Sequence, residues 1–143
     1  MLTKNDILMG RDKTNPITPK MEENLNNLLK AINSLLTHYK KNIKISSGYR
    51  PASINNAVGG ATNSAHQTCE AVDIVDNNRE FAIYCLDNIN LLKKLGLYME
   101  DPRWTPTWVH LQIRPTKSGK IVFIPNNQPP LDKNFFHKTL EKI

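Results

Sequence analysis

The sequence predicts an α+β fold: a small, mainly antiparallel sheet with helices packed on one face and a polar site on the open face. Three observations carry this reading. Residues 19–40 hold one long apolar stripe at helical period. Short runs of β-type residues recur between clusters of turn residues. His66, Asp73 and His110 are ligand-type side chains at a spacing that a loop and two strands can gather but a helix cannot.

Residues 1–17 read as an irregular lead-in with one short turn around Asp6-Ile7-Leu8-Met9. Thr18-Pro19 then opens the main helix, a hydroxyl N-cap followed by proline at the first helical position. Glu22 and Glu23 suit the positive end of its dipole. Met21, Leu25, Leu28, Leu29, Ile32, Leu35, Leu36 and Tyr39 form its buried stripe. Ile43–Ser47 alternates as a short strand and ends at the turn residues Gly48-Tyr49-Arg50-Pro51. Residues 52–64 are small and polar, a loop with one helical turn near Ser53–Val58; a loop this long inside a compact domain is usually functional. Glu70–Val75 reads as a strand, residues 78–94 as a helix capped by Gly96, and Leu97–Glu100 as a further strand. Trp108–Ile113 and Ile121–Ile124 read as a hairpin across Arg114–Lys120. The tail after Pro125 is proline-rich and then weakly amphipathic, with Phe135, Phe136 and Leu140.

The polar residues explain why the strands matter. On one helix, the seven residues from His66 to Asp73 would span roughly 10 Å at about 1.5 Å per residue. Ligands of one metal each lie about 2 Å from it. A loop that folds His66 back over a strand bearing Asp73 removes the difficulty. Trp108, His110 and Gln112 share one face of the later strand by period two, and Val109, Leu111 and Ile113 share the other. Two imidazoles and one carboxylate then form an open zinc set, three protein ligands with a fourth position free. Cys69, on a strand at about 3.3 Å per residue, would lie roughly 13 Å from Asp73 and reads as a small buried thiol. With Cys85 it makes only two cysteines, no disulfide framework.

Ser64-x-His66-x-x-x-x-Ala71-x-Asp73 followed by Trp108-x-His110 resembles the zinc peptidases that include D-Ala-D-Ala carboxypeptidases, D-Ala-D-Ala dipeptidases and phage L-alanyl-D-glutamate endopeptidases. Hedgehog signalling domains share their fold. The likeness spans about residues 43–113, with Ser47-Gly48-Tyr49-Arg50-Pro51 matching an upstream block. It implies that His66, Asp73 and His110 bind Zn2+. It also implies that Arg50 and Ser64 contact substrate, with Trp108 beside them, and that Arg50 grips a carboxylate with its planar fork. Cys69 stands where that family usually has glycine, and Thr107 where many relatives have an acid. The catalytic acid is therefore sought in Glu100, at the end of a block like that of the phage-type branch, with Asp101 as the alternative. Alternation turns Glu70 away from Asp73.

The remaining features bound the partners. A chain of 143 residues fits one domain with its own core. The net charge of +6 favours an anionic partner: nucleic acid, an anionic surface or a carboxylate-rich polymer such as bacterial cell wall. The lysines are dispersed and no nucleic-acid motif is present, so a specific nucleic-acid partner is not expected. Neither a membrane span nor a signal peptide is read. The expectation is a monomeric zinc peptidase cutting peptidoglycan stem or cross-link peptides, as a carboxypeptidase or an endopeptidase. It would be made in the cytoplasm of a bacterial, or phage-infected, cell and reach the wall on release or in a virion. The competing readings are a zinc module without catalysis and a metal-free wall-binding domain.

Overall fold

The computed structural model describes residues 1–59, 63–125 and 131–142. Five short strands form one sheet in the order β1-β2-β4-β3-β5: β1 (Ile45–Ser47), β2 (Ala71–Val75), β3 (Tyr98–Glu100), β4 (Trp108–Gln112) and β5 (Val122–Phe123). β1 with β2, β2 with β4, and β3 with β4 pair antiparallel. β5 pairs parallel with β3, so the sheet is mixed but mainly antiparallel.

The central pair fixes the chemistry. In the register of β2 with β4, Asp73 lies opposite His110, Val72 opposite Leu111 and Ile74 opposite Val109. Because successive side chains alternate across a sheet, one face receives Asp73 and His110 and the other receives the four aliphatic residues. Val72, Ile74, Val109 and Leu111 are fully buried. They share one hydrophobic cluster with Leu25, Leu28, Ile32 and Leu35 of α2 (Pro19–Tyr39), and with Phe81 of α4 (Glu80–Asp87) and Leu92 of α5 (Ile89–Leu95). The helices thus cover the face opposite the polar residues. The main helix starts as its sequence predicts, with the Thr18 hydroxyl accepting from the Met21 amide. It stops at Lys40 in the left-handed conformation.

Four expectations need correction. The lead-in contains a true helix, α1 (Lys4–Leu8), closed by a reciprocal capping box between Thr3 and Asp6, and Ile7 is wholly buried. The expected helix over 78–94 is two helices that meet at Asn88. Its start is held by Asp76, whose carboxylate accepts from the amides of Phe81 and Ala82. The expected hairpin of residues 108–113 and 121–124 does not form, because the chain after β4 crosses beyond β3 and β5 adds to the outer edge. His66 sits on a 3-10 turn, Ala65–Thr68, rather than in an irregular loop. A helix, α3 (Ala52–Ala57), occupies the predicted turn in the 52–64 segment, and part of that segment, like residues 126–130 of the proline-rich tail, lies outside the described residues. Among the described residues no helix is long and apolar enough to cross a membrane.

Candidate metal centre

Three elements converge on the open face. β2 supplies Asp73, β4 supplies His110, and the 3-10 turn before β2 supplies His66. His66 Nε2 lies 3.3 Å from Asp73 Oδ1, and His110 Nδ1 lies 2.9 Å from the same oxygen. One ligand atom from each residue falls within 4.8 Å of the other two. Three ligands held about 2 Å from a tetrahedral metal lie about 3.3 Å from one another, so the spacing suits one ion.

The outer contacts choose which nitrogen faces inward. His66 Nδ1 donates to the Gly48 carbonyl at 2.8 Å, which leaves Nε2 as the bare lone pair. That Nε2 is buried and has no hydrogen-bond partner among the described residues. An orphaned acceptor in a buried site is costly unless something electron-poor fills the space. His110 Nε2 donates to Gln112 Oε1 at 2.7 Å, and the Gln112 amide donates in turn to the Arg114 carbonyl. That chain leaves Nδ1 of His110 facing Asp73. The outer oxygens thus fix which nitrogen of each ring turns toward Asp73, Nε2 of His66 and Nδ1 of His110, and the residues fit a metal.

The charges agree. Burial alone would raise the Asp73 carboxyl, yet the two histidines outweigh it and hold the group well below the usual carboxylate range. Burial alone would lower His110, but Glu100 and Asp73 push it up to about 9.

The backbone reason for the His66 position lies in the strand before it. Gly48 follows β1, and a Cβ there would overlap the Ile7 carbonyl of α1. The Tyr49 amide donates to that same carbonyl, and the Arg50 amide donates to the His66 carbonyl. The amino-terminal helix, the end of β1 and the His66 turn are thus one interlocked backbone unit. Ser64 caps the turn, its hydroxyl accepting from the His66 amide at 3.2 Å. Cys69 ends the turn with φ 61°, a left-handed conformation that suits glycine. Burial, chiefly, pushes its thiol up to about 12, so it is not a thiolate, and it is not among the grouped ligand atoms.

The other predicted residues divide. Glu100 ends β3, where Met99 opposite Leu111 faces the core and Glu100 therefore faces the site. Its carboxylate lies 3.7 Å from His110 Nε2. Asp101 does not join it. It is wholly buried and held by the Arg103 side chain and amide, which accounts for its carboxylate structurally. Thr107 is exposed and contributes its carbonyl to the Asp76 amide. Glu70 pairs with Arg114 at 3.0 Å, away from the ligands. Trp108 is half-buried on the face of His110. The Arg50 side chain is half-buried; burial lowers its guanidinium while Asp73 and Glu100 pull it back up. Its Nε is buried without a partner among the described residues. Sequence reasoning missed the supporting groups, Gly48 and Gln112. Gln112 was open to discovery because it shares the period-two face of His110.

Comparison with known families decides the identity. The peptidase M15 family profile matches residues 2–111. The chain belongs to the peptidase M15 family. No curated protein and no solved structure gives a significant match. M15 peptidases are metal-dependent, and the match takes in all three grouped ligand residues together with Arg50, Ser64 and Glu100. It ends one residue before Gln112, so β5 and the tail lie beyond it.

Proposed function

We propose that the chain is a zinc peptidase hydrolysing amide bonds in bacterial peptidoglycan peptides. The convergence of His66 Nε2 and His110 Nδ1 on one Asp73 oxygen, with the buried Nε2 making no hydrogen bond among the described residues, is the observation that carries the reading. His66, Asp73 and His110 would hold the ion. Imidazole and carboxylate ligands without thiolate suit zinc. Zinc in such a site supplies Lewis-acid polarisation of a carbonyl and activation of water near neutral pH.

The chain's own residues do the rest. Glu100 takes a proton from the attacking water as its oxygen bonds to the scissile carbonyl carbon. The carbon–nitrogen bond then breaks, and Glu100 returns that proton to the leaving amine. Arg50, whose guanidinium feels both Asp73 and Glu100, grips a substrate carboxylate, which fixes the peptide over the site. Trp108 forms an apolar wall on the same face. A stem peptide, short and rich in carboxylates, suits this cationic grip and the net charge of +6. Such an activity fits an enzyme of phage lysis or one carried in a virion.

The test is digestion of purified peptidoglycan with zinc-loaded protein, with and without chelator, read by mass spectrometry. New amide-cleavage products that vanish with chelator are expected, and the new termini distinguish carboxypeptidase from endopeptidase cutting. Intact wall peptides with zinc-loaded protein, or cleavage that chelator leaves untouched, would refute the reading.

A further inference from the structure

Beyond the family match, the segment 114–124 builds a second feature beside the metal centre. A cavity of about 640 Å³ is lined by Arg114, Lys117, Lys120, Phe123, Ile124 and Asn63, among others, with no acidic residue among the described residues of its wall. Three connections tie it to the centre. The Phe123 ring meets the His110 ring edge-on, with centroids 6.2 Å apart. Arg114 is the far end of the chain that runs from His110 through Gln112. Asn63 is three residues before His66.

The wall is built rather than loose. The Arg114 guanidinium donates to the Asn63 carbonyl, the Thr68 hydroxyl and the Glu70 carboxylate, so its charge is answered and its position fixed. The loop bearing the lysines is closed by the Gly119 amide on the Thr116 carbonyl and the Thr116 hydroxyl on the Lys120 carbonyl, with Gly119 at φ 74°. Lys117 and Lys120 stand exposed on its rim, and neither pairs with a carboxylate among the described residues. Below them Val122, Phe123 and the partly exposed Ile124 make an apolar floor. A cationic rim over an apolar floor fits a short peptide that carries both carboxylates and small apolar side chains.

We propose that this cavity is a substrate subsite that takes a carboxylate-bearing part of the peptide lying beyond Phe123 from the scissile bond, with Lys117 and Lys120 pairing the carboxylate. This rests on the peptidase reading and narrows its substrate class to peptides with a free acid at that distance. Arg50 and the lysine rim would then grip the substrate at two separated points.

The probe is a stem tetrapeptide of alanine, γ-linked glutamate, lysine and alanine, prepared with the glutamate carboxylate free and as its amide. Binding of both forms is measured by calorimetry to the zinc-stripped full chain and to zinc-loaded Glu100→Gln, which does not consume the peptide, each with and without Lys117→Gln/Lys120→Gln, with melting and zinc content as fold controls. In the wild type the free acid should bind about fivefold more tightly than the amide, a ratio typical of exposed ion pairs. That preference should persist in zinc-loaded Glu100→Gln and disappear in the double variant, whose melting and zinc content stay unchanged. In turnover the double variant should raise KM for the acid with kcat nearly intact. Equal binding of acid and amide by the wild type, no binding of either, or a preference that survives in the double variant would each overturn the subsite. A charge preference without any cleavage by the zinc-loaded wild type would instead leave the subsite standing and remove the peptidase reading.

Discussion

β2 and β4 carry two opposite tasks on alternate residues. One face of the pair places Val72, Ile74, Val109 and Leu111 in the core, and the other places Asp73 and His110 at the candidate metal centre. The apolar face needs only volume and oiliness. The polar face needs each group held by another: His66 by Gly48, His110 by Gln112, and Gln112 by the Arg114 carbonyl. The fold therefore rests on a distributed set of contacts, whereas the site rests on a few directed ones, and the two should fail in different ways under mutation.

The largest effect is expected on the apolar face. Leu111→Ala should cost about 2–5 kcal/mol of stability through lost burial and the cavity left behind. Chemical denaturation of zinc-loaded protein checks this, and the zinc content of the folded fraction should not change. A loss below about 1 kcal/mol would mean that this face is less tightly packed than its burial indicates.

Next is the acid at the rim of the site. Glu100→Gln should keep fold and zinc but slow hydrolysis by at least about a hundredfold, the low end for a general acid–base group. Asp101→Asn should act instead on stability, because that carboxylate is engaged by Arg103. A steady-state assay alongside thermal melts separates them. Were Asp101→Asn to abolish turnover at unchanged melting temperature, the roles would be exchanged.

Smaller still are the supporting groups. Gln112→Ala frees the outer nitrogen of His110 and should weaken zinc binding about ten- to a hundredfold, the usual range for such partners. Gly48→Ala should do the same to His66, since its new Cβ would push the carbonyl away from the imidazole. Competition with a calibrated zinc chelator measures both. Wild-type affinity in both variants would show that the tautomers are set by something other than these two oxygens.

The smallest effect is that of pH on the metal-free protein. His110 is raised to about 9 in the folded chain, above its ordinary value near 6.5. A raised folded value stabilises fully below the unfolded one and is lost as pH climbs through the folded one. Zinc-stripped protein should thus melt progressively lower between about pH 6.5 and pH 9, while the zinc-loaded form, in which the metal would take the place of the second proton on His110, should not follow that trend. Parallel melting curves for the two forms would contradict this.

These contrasts also explain what was readable in advance. The His66–Asp73–His110 grouping was legible because period-two alternation and helical rise are geometric rules that the residue spacing must obey. The helix over 19–39 was legible from Thr18-Pro19 and its stripe. β5 was misplaced because a two-residue strand after a glycine turn looks alike whether it returns to β4 or passes on to β3. The break at Asn88 was hidden because the apolar residues on either side continue at helical spacing. The Gly48 carbonyl could not be read at all, since it acts through the backbone and any residue type carries one. What marks the position is the missing Cβ, and that has meaning only once α1 is seen against it.

The central claim is that the polar face of these two strands is a zinc site of two imidazoles and one carboxylate. X-ray absorption at the zinc edge, on protein loaded with one equivalent, tests it most directly. Nitrogen and oxygen neighbours are expected at about 2.0–2.1 Å, with the outer-shell pattern of two imidazoles and no sulfur. That signal should be lost in His110→Ala. A sulfur neighbour at about 2.3 Å would place Cys69 or Cys85 on the metal, and a spectrum unchanged in His110→Ala would place the zinc elsewhere. Either result would rule out a site made of His66, Asp73 and His110.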